Sequence, residues 1–197
     1  MDIELNFYRE KNFSHVVIDN YFSSTEIEEA LQELRDLRRL AAGAKFTGTA
    51  QTSEGVFKKT GSGVWLDDVY RDRNASPILK ATRKIFDKRL YGPMIAFDVV
   101  FEFVAQSNFD HCLANYYSAG ERYDAHQDQS RITAVTLLGD GEFTGGGFAF
   151  PDQGVEVAFK QGRTVVFPSC VNHASIPHLS AQKDACRMSI AQFIDSK

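Results

Sequence analysis

The sequence is poor in several features that would mark particular classes of protein. Its three cysteines, Cys112, Cys170 and Cys186, are odd in number and lack the close spacing of a zinc or redox motif. No run approaches the roughly 20 apolar residues that cross a bilayer, and the acidic N-terminus, residues 1–4, contains no apolar signal segment. These absences predict an intracellular, cytoplasmic protein with no membrane partner.

Positively charged residues are also outnumbered by negatively charged ones. The chain has 22 lysines and arginines against 26 aspartates and glutamates, which gives a formal net charge of −4. A protein that binds a phosphate backbone usually has a basic excess or a dense basic stripe, so we expect no nucleic-acid partner. The sequence contains no internal repeat and no low-complexity tract. Its 197 residues suit one domain, residues 1–197, with a substantial core.

Helical signals are concentrated in the first half of the chain. Ser23 and Glu26 predict a capping box at the start of a helix whose apolar residues recur at helical spacing. A second helix is predicted from Ser76 as N-cap, with Pro77 in the first turn, to Gly92. We therefore expect residues 1–92 to form a helical support.

Strand signals dominate after Gly92, and the 16 phenylalanines and seven tyrosines suit a β-rich interior. No helical segment separates these strands, so a parallel βαβ arrangement is excluded. We expect a mainly β fold with flanking helices (α+β), in which residues 93–197 form an antiparallel barrel or sandwich able to hold a small ligand. Predicted strands cover residues 15–18, 94–104, 111–117, 131–138, 148–150, 155–159, 164–167 and 188–194.

Three separate elements carry candidate chemistry. His126 and Asp128 are two positions apart, so on a strand both side chains project to one face. His173 follows a strand that ends in Phe-Pro-Ser, and Arg187 opens the last strand. Two histidines and one carboxylate form the facial set that holds Fe(II) with open positions, and a guanidinium matches a carboxylate in a bidentate geometry. Together they predict an iron centre at His126, Asp128 and His173 with an anion site at Arg187.

Residues 93–195, about half of the chain, resemble the prolyl-4-hydroxylase branch of the Fe(II)/2-oxoglutarate-dependent oxygenases. The resemblance lies in the order and spacing of several short motifs: Tyr116, Gly120 and Tyr123 before His126 and Asp128; Phe143-Thr144-Gly145-Gly146-Gly147; Phe167-Pro168-Ser169 before His173; Pro177; and Arg187.

The resemblance implies a double-stranded β-helix (jelly-roll, cupin-like) with N-terminal helices packed on one sheet. It implies Fe(II), 2-oxoglutarate and O2 as cofactor and co-substrates, with ascorbate as a stimulating reductant. By position, Arg187, Tyr116 and Thr133 are expected to contact 2-oxoglutarate, while Leu137 falls where relatives often have a polar or aromatic contact.

One departure from the family pattern concerns the second histidine. The interval from His173 to Arg187 is longer than is common among relatives, and His178, nine positions before Arg187, competes for the role. We prefer His173 because its distance from the Phe-Pro-Ser strand fits the family. The extra residues then become a loop at 178–185.

The resemblance implies hydroxylation coupled to oxidative decarboxylation of 2-oxoglutarate, with a prolyl residue in a protein or peptide as substrate. Residues 41–63 are rich in Gly, Thr, Ser and Lys and predict either a β-hairpin with a mobile tip or a functional loop. They lie where relatives carry a loop that closes over a peptide. Two alternatives stay open, namely a free amino acid or other small-molecule substrate, and a metal-binding cupin without O2 chemistry.

Overall fold

Two facing antiparallel sheets, with helices against the outer face of the larger one, make up the fold. The computed structural model describes residues 2–196. The strands are β1 Glu4–Arg9, β2 Ser14–Asp19, β3 Ala42–Gly43, β4 Ser62–Trp65, β5 Phe109–Tyr117, β6 Tyr123–His126, β7 Ile132–Asp140, β8 Thr144–Gly145, β9 Phe148–Phe150, β10 Val155–Val157, β11 Thr164–Pro168, β12 His173–Ser175, β13 His178–Leu179 and β14 Cys186–Asp195. The α-helices are α1 Ser24–Leu37, α2 Leu66–Val69, α3 Pro77–Thr82, α4 Lys88–Phe97 and α5 Glu102–Gln106. Short 3-10 helices occupy Arg38–Leu40, Arg73–Ala75, Arg83–Phe86, Val99–Phe101 and Pro151–Gln153.

The larger sheet has eight strands in the order β1-β2-β11-β7-β14-β5-β4-β3, and the smaller has four in the order β10-β9-β12-β6. Strands β13 and β8 form a separate pair. The mainly β fold with flanking helices is therefore confirmed. None of the helices within residues 2–196 is long and apolar enough to cross a membrane.

The sequence predicted two helix caps, and the second of them also joins α1 to α3. Ser23 accepts a hydrogen bond from the Glu26 amide and the Glu26 side chain accepts one from the Ser23 amide, so the capping box is confirmed. The Ser76 side chain caps α3, and its hydroxyl also donates to Glu33 of α1 over 2.6 Å. The other Glu33 oxygen accepts from the Ile78 amide at 3.0 Å. This carboxylate joins α1 to the start of α3 inside the protein.

Two boundary predictions were wrong. The strand expected at residues 94–104 is helical, because α4 continues to Phe97 and α5 follows a 3-10 turn that Asp98 caps. Gly92 does not end a helix but lies inside α4, whose N-cap is Asp87. The segment is mostly apolar, with Asp98 and Glu102 as its only charged residues, and such a composition does not reveal its period. Here Met94, Phe101 and Val104 are buried against the sheet at helical rather than alternate positions.

The central strands β5 and β14 of the larger sheet separate two interiors. On β5, Ala114 and Tyr116 belong to the apolar cluster under the helices, while Leu113 belongs to the cluster between the two sheets. The same alternation on β14 places Ile190 under the helices and Ala191 between the sheets. We call these the helix face and the cavity face of the larger sheet.

Candidate metal centre and its cavity

The smaller sheet brings the two candidate histidines side by side. His126 ends β6 and His173 begins β12, and the two residues are direct partners in the antiparallel register. Their ring centroids are 4.3 Å apart. Asp128 follows two positions after His126, and its amide donates to the Ser169 carbonyl at 2.9 Å, which turns the chain back toward the site. Three candidate ligand groups, two of them close together in the sequence and the third far along the chain, thus meet at the cavity.

The donor atoms converge as a metal centre requires. One carboxylate oxygen of Asp128 lies 3.7 Å from Nε2 of His126, and the other lies 3.4 Å from Nε2 of His173. All three candidate ligand atoms lie within 4.8 Å of one another. The structure groups His173 with His126 and Asp128. His178 instead packs against Phe143, with ring centroids 4.9 Å apart, outside this cluster.

Backbone contacts fix the orientation of both imidazoles. Nδ1 of His126 is 2.8 Å from the Asp124 carbonyl, and Nδ1 of His173 is 2.9 Å from the Val171 carbonyl. An Nδ1–H that donates to a carbonyl leaves Nε2 with its lone pair exposed for a metal. Both Nε2 atoms face Asp128, so each ring presents its ligand atom toward the same point.

Thr133 holds the carboxylate of the cluster in place. Its hydroxyl donates to an Asp128 oxygen at 2.7 Å and lies 2.8 Å from the Ser169 hydroxyl. The sequence predicted Thr133 as a co-substrate contact. In the structure its hydroxyl is fully buried and engaged with Asp128, so it positions a ligand instead.

Burial favours the protonation states that a divalent cation needs at the two histidines. It lowers the pKa of His126 to about 3, with the nearby His173 adding to the effect, and it also lowers the pKa of His173. Burial raises the pKa of Asp128, and the nearby His173 and the hydrogen bond from Thr133 oppose that shift. Within residues 2–196 no lysine or arginine lies in ion-pair distance of its carboxylate. Neutral imidazoles and a carboxylate without a counter-charge are suited to a bound metal cation.

Arg187 is buried behind the cavity wall, in contact with the lining residues Ser175 and Tyr117. Its guanidinium is bonded to the Gly146 carbonyl at 3.1 Å, the Gly147 carbonyl at 3.4 Å and the Ser175 hydroxyl at 3.0 Å. Gly146 has a φ of 72°, a conformation that lets the glycine run bring its backbone up to the arginine. Across the described chain, no carboxylate lies within 4.0 Å of this buried cation. The side chain is held by neutral groups and retains its positive charge for an incoming anion.

The expectation that Tyr116 faces the site was wrong. Its hydroxyl donates to the Leu34 carbonyl of α1 at 2.8 Å, and its ring belongs to the cluster under the helices. Tyr117 lies in the cavity wall instead, with its ring 4.8 Å from the Arg187 guanidinium carbon. Tyr117 is the register partner of Arg187, so both project from the cavity face. A shift of one residue along a strand exchanges the two faces.

A cavity of about 520 Å³ connects the triad to the larger sheet. That volume lies within the range of small-molecule sites. Aromatic side chains of the cavity face form part of its wall: Trp65, Phe109, His111, Tyr117 and Phe193. Leu137 is buried between the sheets, where it adds apolar surface and no polar contact.

Residues 44–61, which join β3 to β4, lie over the cavity. Within them, Thr47, Gly48, Thr49 and Ala50 form part of the wall. The Ala50 amide donates to the Tyr123 hydroxyl at 3.0 Å, and the Tyr123 ring stacks on His126 with a centroid distance of 3.4 Å. This segment is thus in contact with the ring that covers a candidate metal ligand.

Sequence reasoning missed Lys59, Asn115, Tyr117 and Tyr123 as site residues. Alternation along β5 from the polar residues His111 and Asn115 could have indicated Tyr117. No short sequence pattern indicates Lys59, because its hydrogen-bond partner Asn115 lies 56 positions further along the chain.

No protein-family model matches the sequence, and no curated protein sequence matches it. Solved structures do. A prolyl-4-hydroxylase from Pseudomonas putida superposes with a TM-score of 0.64 at 16% identity, covering 94% of each chain. A prolyl hydroxylase from Trichoplax adhaerens, in complex with a hypoxia inducible factor peptide fragment, gives 0.64 at 16% identity over 92% of this chain and 83% of that one. A viral collagen prolyl hydroxylase from Paramecium Bursaria Chlorella virus-1, in complex with 2OG, gives 0.59 at 13% identity over 93% and 96%.

These likenesses extend over nearly the whole chain and show a shared fold. The protein has the double-stranded β-helix with helical support of those oxygenase structures, as predicted. The predicted triad stands together as a His-Asp-His cluster inside that fold.

Proposed function

We propose that this protein is an Fe(II)- and 2-oxoglutarate-dependent hydroxylase that acts on a prolyl residue in a protein or peptide. One observation carries the proposal: a buried His-Asp-His cluster lines a cavity, and a buried arginine without an acidic partner lies directly behind two other lining residues, Ser175 and Tyr117. The donor set fits iron, since two imidazoles and one carboxylate leave positions open for co-substrates. A metal-binding cupin without O2 chemistry needs no buried cation beside its cavity.

The co-substrate would extend from the triad to Arg187. Its 2-oxo acid end suits the metal, and its far carboxylate suits the Arg187 fork, with Ser175 and Tyr117 beside it. The iron supplies the activation of O2 that hydroxylation of an unactivated C–H bond requires. Thr133 keeps the Asp128 carboxylate oriented, and the Asp124 and Val171 carbonyls keep both imidazoles turned toward the centre. The segment over the cavity excludes water from the reacting groups.

The wall of the cavity supports a prolyl substrate. Trp65 and Phe193 have ring centroids 5.6 Å apart and border the cavity on the side of the larger sheet. Flat aromatic faces suit the apolar pyrrolidine ring of proline. Prolyl hydroxylases are also among the structures that share the fold over most of the chain.

Coupled turnover tests the proposal. Purified protein would be incubated with Fe(II), ascorbate, 2-oxoglutarate and a library of proline-containing peptides, and succinate release would be measured together with a gain of one oxygen in peptide mass. Replacing Arg187 with Met removes a fork of charge-assisted hydrogen bonds, so we expect succinate release at limiting 2-oxoglutarate to fall about a hundredfold. Arg89→Met is the matched control, because Arg89 is exposed and paired only with Asp87 among the described residues. The absence of succinate from the wild-type protein under every condition would contradict the proposal.

A free amino acid is the second candidate, favoured by the cover over the cavity. Residues 58–60 are tied to the smaller sheet: the Lys58 ammonium donates to the Ala125 carbonyl at 2.7 Å, and the Thr60 amide donates to the Arg122 carbonyl at 3.0 Å. A fixed cover suits a small substrate better than a long chain. Free proline added at equal concentration to the best peptide decides between them, because each product has its own mass.

A further inference from the structure

Lys59 is a buried cation that the proposed chemistry leaves without a role. It lies in the segment over the cavity, three residues before β4, and only 3% of its surface is exposed. Its ammonium group donates to the Asn115 side-chain oxygen at 2.7 Å. Space for the ammonium group exists because residue 63 is glycine, where a Cβ atom would lie 2.9 Å from the Lys59 nitrogen.

This ammonium group is not neutralised by the protein. An ammonium group has three donors, and Asn115 is the one acceptor within hydrogen-bond distance among residues 2–196. Within the same residues no carboxylate lies within 4.0 Å of it, and Glu121 acts only from farther away. Burial of a lysine without an acid is unfavourable unless the group serves a ligand or loses its proton.

Lys59 and Arg187 both lie next to Tyr117, which lines the cavity. The Lys59 nitrogen is 5.9 Å from the centre of the Tyr117 ring, and the Arg187 guanidinium carbon is 4.8 Å from it. Asn115 and Ser189 are register partners on the cavity face, next to the pair formed by Tyr117 and Arg187. Asn115, Tyr117 and Ser189 all line the cavity. Two buried positive charges are therefore placed behind one stretch of polar wall.

We propose that Lys59 is a second cationic contact for the far carboxylate of the co-substrate, acting with Arg187 to select a dicarboxylate 2-oxo acid. This inference rests on the proposed function and names one more residue of the same site. Direct donation from the ammonium group adds a charge-assisted hydrogen bond to those of the arginine fork. Asn115 holds the lysine in position for that contact.

The pKa of Lys59 in the absence of a ligand supports the assignment. Burial lowers the pKa of Lys59 to about 7, with Arg187 adding to the effect and Glu121 opposing it. A bound carboxylate beside the ammonium group would restore the charged form. Lys59 would then become protonated when a dicarboxylate binds. A 2-oxo acid with an apolar end supplies no such carboxylate, so its binding is disfavoured.

Binding without turnover provides the test. The full-length protein would be loaded with Mn(II) in the absence of O2, and dissociation constants would be measured calorimetrically for 2-oxoglutarate and for 2-oxovalerate, which has a methyl group in place of the far carboxylate. Lys59→Met is compared with Lys45→Met, which removes the same charge from an exposed position of the same segment. Arg187→Met serves as a reference for loss of the carboxylate contact.

We expect Lys59→Met to weaken 2-oxoglutarate binding at least tenfold and to change 2-oxovalerate binding less than about twofold. Equal weakening of both ligands would place Lys59 at the metal-chelating end and overturn the inference. No weakening of either, with Arg187→Met still defective, would overturn it while leaving the proposed function intact. Failure of the wild-type protein to bind 2-oxoglutarate would instead overturn the proposed function, and the inference with it.

A second variant and a spectroscopic control distinguish loss of binding from loss of the fold. Removing a buried charge is not expected to unfold the protein, and near-ultraviolet circular dichroism checks this directly. Lys59→Gln keeps a donor for Asn115 but has no charge. It is expected to show the same selective loss of 2-oxoglutarate binding, and normal binding by a folded Lys59→Gln would overturn the inference.

Discussion

Buried charges are paired with opposite charges on the helix face of the larger sheet and unpaired on the side of its cavity face. On the helix face, the Asp110 carboxylate accepts from Arg73 at 2.8 Å and from Arg83 at 2.7 Å, so the charge is matched within the protein. On the cavity face, Lys59 and Arg187 are held by neutral acceptors. Charges that are paired inside the protein need no ligand, whereas a buried cation without an acidic partner can still bind an anion. The paired charges lie where the helices pack on the sheet, and the unpaired ones lie beside the cavity.

Truncating one apolar side chain on each face is the strongest test of that comparison. Ile190 is fully buried under the helices, while Leu113 lines the cavity. Ile190→Ala should lower the free energy of unfolding by about 2–5 kcal/mol, because it leaves a void in a closed core. Leu113→Ala should cost at least about 1 kcal/mol less, since it enlarges a space that already exists.

Urea unfolding measures both values, and calorimetry with Mn(II) and 2-oxoglutarate measures binding. The Ile190→Ala protein is expected to bind 2-oxoglutarate like the wild type once folded. Equal destabilisation by the two variants, or a binding defect in Ile190→Ala alone, would remove the distinction between the faces.

The pH dependence of stability probes the unmatched charge directly. The pKa of Lys59 is lowered to about 7 in the folded state, chiefly by burial, and is about 10.5 in an unfolded chain. Between these values the unfolded state binds more protons, so stability rises with pH above about 7 and is lost as pH falls toward 7. The largest slope from one group is about 1.4 kcal/mol per pH unit.

Unfolding free energies of the wild type and of Lys59→Met at pH 7.0 and 8.5 isolate this contribution, because other titrating groups cancel in the difference. We expect the wild type to gain up to about 2 kcal/mol relative to the variant over that interval. Saturating Mn(II) and 2-oxoglutarate should reduce the gain, since the carboxylate keeps Lys59 protonated. A constant difference at both pH values would show that Lys59 does not titrate in this range.

The predictions from sequence succeeded where the signal is local or repeated along the chain. The capping box at Ser23, the cap at Ser76 and the strands β5, β7, β9, β10, β11 and β14 follow from short patterns, whereas the short strands β6, β8, β12 and β13 were not predicted. His126 and Asp128 were named on the expectation that both lie on one strand, whereas β6 ends at His126 and Asp128 lies in the segment that follows it. His173 was named because of the strand that precedes it. The structure brings all three together.

The failures concern choices that a short pattern leaves open. Apart from Asp98 and Glu102 the segment 94–104 is apolar, and its helical state depends on the sheet against which it packs. Tyr116 and Tyr117 are adjacent and chemically identical, and the family motif did not decide between them; alternation along β5 and the register with β14 place Tyr117 beside Arg187. Lys59 reaches its position through a fold in which Asn115 lies 56 residues further along the chain. Long-range pairing supplies this information.

Removing one hydroxyl from each of these neighbouring tyrosines gives the smallest effects and the closest comparison of the two faces. Tyr116→Phe loses the hydrogen bond to the Leu34 carbonyl, which should cost about 1 kcal/mol of unfolding free energy and leave the Kd for 2-oxoglutarate unchanged. Tyr117→Phe keeps the ring over Arg187 and loses only its hydroxyl, which lies beside Arg187 and Ser175. It should weaken 2-oxoglutarate binding about three- to tenfold with little change in stability. The two substitutions are chemically the same and one position apart, so they differ only in the face of the sheet. An exchange of the two outcomes would mean that the register of β5 against β14 is shifted by one residue, and with it every assignment made to the cavity face.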